Sequence, residues 1–110
     1  MYKITFYVPE SHLEAVKNAV FDAGAGQIGN YDCCAWQTKG TGQYRPLDNT
    51  QPYQGQRNRI SVEGEYKVEL VCETSKLKQV LQTLVKTHPY ETPAYEAYPI
   101  VTLNDDNLPK

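Results

Sequence analysis

The run His88-Pro89-Tyr90-Glu91-Thr92-Pro93 packs an imidazole, a phenol, a carboxylate and two prolines into six positions. The prolines fix the backbone, so the polar groups are held rather than free. His12 is the only other histidine. Imidazole with carboxylate suits zinc, copper or nickel. His88 and Glu91 are therefore a candidate pair for a divalent metal, zinc or copper, with His12 as an added ligand. Two histidines and one carboxylate make a thin shell, and no H-x-x-H spacing supports it. The alternative makes His88 a cation at the end of a helix dipole and Glu91 an acceptor for turn backbone.

The second candidate is Gly40-Thr41-Gly42-Gln43-Tyr44-Arg45-Pro46. Gly40 and Gly42 let backbone approach a ligand or a neighbouring chain, and Arg45 can read an anion. A plain loop would look the same. Gly24-Ala25-Gly26-Gln27-Ile28-Gly29 matches G-x-G-x-x-G, but a helix precedes it and a strand follows. A dinucleotide fingerprint needs the reverse, so this is a helix end and turn. Cys33 and Cys34 are expected within a strand, away from any histidine, so no catalytic residue is assigned and the chain is not read as an enzyme. Glu63, Glu65, Glu69 and Glu73 look like a solvated strand face.

The elements that position these groups follow from periodicity. Tyr2, Ile4, Phe6 and Val8 alternate with polar residues, a strand closed by Pro9. Ser11 and Glu14 fit a capping box for a helix with Leu13, Val16 and Val20 inward, ending near Gly24. A second strand is expected over residues 28–37. Residues 39–64, rich in Gly, Gln, Asn, Pro and Arg, read as a long excursion with room for a short hairpin inside. Tyr66, Val68, Leu70 and Cys72 mark a third strand. Ser75 is the expected cap of a second helix with Leu77, Val80, Leu81, Leu84 and Val85 on one face, closed by Pro89. A last strand is expected over 94–101, and 104–110 is a polar tail.

The order β-α-β-β-α-β implies an α+β, ferredoxin-like fold: a four-stranded antiparallel sheet with two helices on one face and a long excursion between the second and third strands. Residues 1–103 form a single domain in this reading. The topology sends the first strand-helix turn, the excursion and the His88–Pro93 corner to one end. His12, Gly40, Gly42, Tyr44, Arg45 and Tyr90 then share a rim, the expected ligand or interface surface.

A chain of 110 residues with 22% charged residues and net charge −2 is an ordinary globular size and lacks the basic footprint of a nucleic-acid binder. No apolar run approaches about 18 residues and no secretory leader pattern is present, so no membrane partner and a cytoplasmic location are expected. Three cysteines, two of them adjacent, fit a reducing compartment. Nine tyrosines against two phenylalanines suit half-wet sheet faces and subunit interfaces.

The His88-Pro89-Tyr90-Glu91-x-Pro93 corner after an amphipathic helix resembles the CutA divalent-cation tolerance proteins. The segments Tyr2–Pro9, Gly24–Tyr31 and Gly40–Pro46 are similar to the small CutA- or PII-like domain of YqfO/YbgI-type proteins, the NIF-three family. The resemblance runs over nearly the whole chain. It implies a ferredoxin-like fold and a homo-oligomer, a trimer by the CutA likeness. Full-length members of that family hold two metals in flanking halves absent from this sequence, so neither those ligands nor the cyclohydrolase label carries over. The PII likeness implies an effector-responsive role for residues 39–64, with a small molecule or a protein as partner. The expected function is an oligomeric binding or regulatory module. The alternatives are a CutA-like divalent-metal binder and an enzyme subunit with sites shared between chains.

Overall fold

The computed structural model describes residues 1–103, 105, 108 and 109. Its elements run β1 (Tyr2–Val8), α1 (Leu13–Asp22), β2 (Trp36–Tyr44), β3 (Ser61–Cys72), α2 (Leu77–Thr87) and β4 (Tyr95–Pro99). The four strands form one antiparallel sheet in the order β2-β3-β1-β4. This is the ferredoxin-like α+β arrangement that the pattern predicts.

Side-chain alternation sorts the sheet into two faces. Ile4, Phe6 and Val8 of β1 and Val68, Leu70 and Cys72 of β3 are buried in one core with Val16, Val20, Val80 and Leu84 of the helices. The register sets Ile4 opposite Leu70 and Phe6 opposite Val68, so both strands turn the same parity inward. Tyr7, Lys67, Glu65 and Glu69 take the opposite parity and face away from the helices. Val85, expected on the inner face of α2, is 41% exposed.

The two helices start alike, and neither as expected. Each is entered through a 3₁₀ turn, Glu10–His12 and Thr74–Lys76, with no side-chain cap. His12 N–H donates to the Pro9 carbonyl and Lys76 N–H to the Glu73 carbonyl, both at 3.0 Å. These turns satisfy the first donors, so neither the Ser11–Glu14 box nor the Ser75 cap forms. The Ser11 hydroxyl instead hydrogen-bonds with His12 Nδ1 at 2.9 Å. The end of α1 is as expected. Gly24 at φ +118° lets its N–H reach Phe21 and the Ala25 N–H reach Val20, both at 3.0 Å, a Schellman closure.

The second strand is the main correction. It begins at Trp36, where it was expected to end, and runs to Tyr44. Residues 28–35 hold only an isolated Ile28–Tyr31 bridge, and Cys33 has φ 54°, which no extended strand accommodates. Cys33 and Cys34 therefore precede the strand. All three cysteines are free thiols. β3 starts at Ser61 rather than Tyr66, so β2 and β3 form a nine-pair ladder from Trp36–Glu69 to Tyr44–Ser61. The irregular part of the excursion shrinks to residues 45–60. β4 spans Tyr95–Pro99, shorter than the expected 94–101. The expected tail 104–110 lies largely outside the described residues.

No helix among the described residues is long and apolar enough to cross a membrane.

Candidate functional site

Three segments converge at one end of the sheet: the turn after β1, residues 44–60, and the corner after α2. His88 sits at the end of α2, 6% exposed. The Tyr90 N–H donates to His88 Nδ1 at 3.1 Å. That nitrogen is therefore the acceptor, and Nε2 carries the proton and donates to the Tyr7 carbonyl at 2.6 Å. Burial pushes the His88 pKa below the usual imidazole range; the Tyr7 carbonyl opposes this, and nearby His12 adds to it. His88 is thus a neutral, internally bonded ring, not the helix-end cation of the alternative reading. Glu91 Oε2 accepts from the Gln51 N–H at 3.1 Å, across the excursion rather than within its own turn. Both nitrogens of His88 are engaged, and among the described residues no cluster of three or more His, Cys, Asp or Glu side chains forms.

Aromatic rings join the segments. His12 meets Tyr53 edge-on at 5.5 Å between centroids. Tyr90 lies 6.0 Å from Tyr53, 6.2 Å from Tyr44 and 4.9 Å from His88. The Tyr44 hydroxyl donates to the Gln54 carbonyl at 2.9 Å. The rest of the excursion bonds to itself: Arg57 Nε to the Thr50 carbonyl at 2.8 Å and Asn58 to Asp48 at 2.7 Å. Segment 45–60 is thereby a built element, with Tyr53 and Tyr44 as its anchors.

A cavity of about 740 Å³ opens beneath this rim on the sheet face away from the helices. Gly40, Gly42, Tyr44, Arg45 and Tyr90, all named from sequence, line it; His12 stands behind Tyr53, outside the wall. Gly42 has a specific reason. A Cβ there would lie 1.6 Å from Glu65 Oε1, so the Glu65 side chain occupies the space that glycine leaves. At Gly40 a Cβ would meet nothing within 4 Å, and the backbone is bare toward the cavity.

Sequence reasoning missed Tyr53, Gln54 and Glu65. Glu65 lines the cavity instead of lying on a solvated face. The signal for Tyr53 was a lone aromatic in a polar loop, Pro52-Tyr53-Gln54-Gly55. Two polar atoms of the wall, Tyr90 Oη and Gln54 Oε1, are closed to solvent; Tyr90 Oη lies beside the Glu65 carboxylate. Burial drives the Tyr90 phenol far above its usual range, and a hydrogen bond toward the Glu65 carboxylate, followed by that group's charge, pushes the same way. Tyr44 is shifted upward too, by desolvation first and by Glu63 second. Both phenols are neutral donors at physiological pH.

No family model matches the chain. The "GTP cyclohydrolase 1 type 2 homolog" of Halalkalibacterium halodurans is 38% identical over 100 residues, 91% of this chain and 27% of that protein. The protein of the same name in Bacillus subtilis is 39% identical over 98 residues, 26% of its length. The solved Bacillus cereus protein related to NIF3 matches with a TM-score of 0.79 and 34% identity, over 92% of this chain and 26% of that one. The chain is homologous to one segment of the NIF3-related proteins. It spans about a quarter of the length of the relatives it matches. The CutA1 protein of a psychrotrophic Shewanella matches over 92% of this chain and 81% of its own, with a TM-score of 0.66 and 20% identity, a likeness of fold. The chain therefore shares its fold with CutA1.

Proposed function

We propose that this NIF3-related segment is an oligomeric binding or regulatory module whose small-molecule ligand enters the rim cavity. The rim cavity itself, walled by Tyr44, Tyr53, Tyr90 and Glu65, carries this reading. The cavity volume also falls in the range of small-molecule sites. A metal at His88 would have to displace the bonds to Tyr7 and Tyr90, so the ring is better used as a strut. Assembly is supported by β2, an outer strand whose residues Trp36–Thr41 are all exposed, with Trp36 at 68%. An open strand of this kind invites a covering chain. The CutA likeness suggests a trimer, and three free thiols suit a cytoplasmic setting.

Light scattering at micromolar concentration tests the assembly: a multiple of 12.5 kDa is expected, and a monomer removes it. Hydrogen exchange tests the site. A compound from a small-molecule screen should slow exchange in residues 45–60, and a screen with no protection at the rim removes the site.

A further inference from the structure

The wall of the rim cavity is aromatic and carries an excess of carboxylates. Resting on the binding reading above, we propose that the cavity takes an organic cation, a substituted ammonium whose head lies against the tyrosine rings with Glu65 as its counter-ion.

Three observations converge. The first is the rings. Tyr7, Tyr44, Tyr53 and Tyr90, four of the nine tyrosines, line the cavity. Tyr90 stands 6.0 Å from Tyr53 and 6.2 Å from Tyr44, tilted by 46° and 49°, so neither pair closes into a flat stack. The face of a phenol ring attracts a cation within about 6 Å of its centroid, more strongly where water is excluded. The second is charge. β3 turns Glu65, Lys67 and Glu69 to the cavity side, and the corner adds Glu91. Lys39, paired with Tyr66, takes the opposite parity and faces away. Three carboxylates of the wall then meet two basic groups, Lys67 and Arg45. Lys67 stands 4.0 Å from Glu69, whereas Glu65 forms no ion pair among the described residues. Glu65 lies over Gly42 and beside the Tyr90 hydroxyl. Burial first, and the Glu63 and Glu65 carboxylates with it, push the Tyr44 and Tyr90 phenols upward, as a negative potential at the rings requires. The third is the kind of cation. Among the described residues no three His, Cys, Asp or Glu side chains gather as a metal shell would need. An alkylated ammonium needs no such shell, because its carbon groups pack on the rings and its charge is weakly hydrated.

Amide NMR spectra of the full chain test the proposal. The probes are choline and tetramethylammonium, the uncharged carbon analogue of choline, in which a tert-butyl group replaces the trimethylammonium, and the matching tert-butyl carboxylate. Choline or tetramethylammonium should shift the amides of Gly40, Tyr44, Tyr53 and Tyr90. The carbon analogue has the same shape and should bind at least about tenfold more weakly than choline. Glu65→Gln keeps the size of the side chain and removes its charge. It should weaken choline about tenfold and leave the carbon analogue unchanged, with an unaltered melting temperature of the free protein showing that the fold is intact. Equal binding of the carbon analogue, tighter binding of the carboxylate, or full choline affinity in Glu65→Gln overturns the ligand class and leaves the rim a binding site. No shift at any rim amide with any probe also overturns the class, and the small-molecule exchange screen then decides whether the rim binds at all.

Discussion

The His88 imidazole ties the carbonyl of Tyr7 to the end of α2 through a 2.6 Å bond, 81 residues apart in the chain. The same ring takes the Tyr90 N–H on its other nitrogen. One side chain thus joins β1, the helix and the corner. His88→Ala leaves a void, an unpaired Tyr7 carbonyl and an unpaired Tyr90 N–H. We expect it to lower stability by about 2–4 kcal/mol, read from the urea midpoint. A midpoint shift near zero would show that the strut carries no weight.

The same ring sets a pH dependence. The unfolded histidine titrates near 6.5, whereas the folded His88 titrates lower, chiefly because burial disfavours its charged form. The unfolded chain then binds the proton first as pH falls, so stability present above pH 6.5 is lost progressively below it, down to the folded value. Protonation would also place an N–H on Nδ1 against the Tyr90 N–H. Urea midpoints at neutral pH and in mild acid should show this loss in the native chain, and a smaller one in His88→Gln. An equal loss in both would place the titration elsewhere.

Gly26 separates packing from composition. It sits at φ +82°, and a Cβ would meet the Phe21 ring at 2.8 Å and the Cys34 carbonyl oxygen at 3.0 Å. Gly26→Ala should cost about 2–4 kcal/mol by thermal or urea unfolding, since neither neighbour can yield freely. Gly40→Ala, with open space at its Cβ, should change stability by no more than about 0.5 kcal/mol. Comparable losses in the two variants would contradict the packing described.

Much of this was legible before the structure, for a physical reason. Strands and helices that bury one face announce themselves by period, as Ile4-Phe6-Val8 and Leu77-Val80-Leu84 do. The shared rim was legible too, because topology alone brings the turn after β1 and the corner after α2 to the same end. β2 was not legible. Thr38, Gly40 and Gly42 face the cavity side, Lys39 and Thr41 the other, and none is buried, so no alternation marks the strand. Its order comes from ladder bonds to β3, which composition does not reveal. Tyr53 and Gln54 were missed because their role depends on how segment 45–60 folds back through Tyr44. Glu65 was misread because its carboxylate lies over Gly42, a relation between two strands.

Tyr53 should anchor the excursion locally. Its ring touches His12 and Tyr90 yet is 46% exposed. Tyr53→Ala should reduce global stability by only about 1 kcal/mol. Hydrogen exchange across residues 45–60 should nevertheless rise well above that of β1 and α2. Unchanged exchange there would mean that the loop's own bonds suffice.

The bonds that assemble the rim have a kinetic corollary. His88 to Tyr7 spans 81 residues and Gln51 to Glu91 spans 40. Contacts so distant in sequence require large loops to be closed before they return any energy. The β2–β3 hairpin and each helix can form from near neighbours, but the rim must wait for both ends of the chain. The corner that stands out first in the sequence thus closes only when distant parts of the chain have met, as the pairing of β1 with β4 also requires.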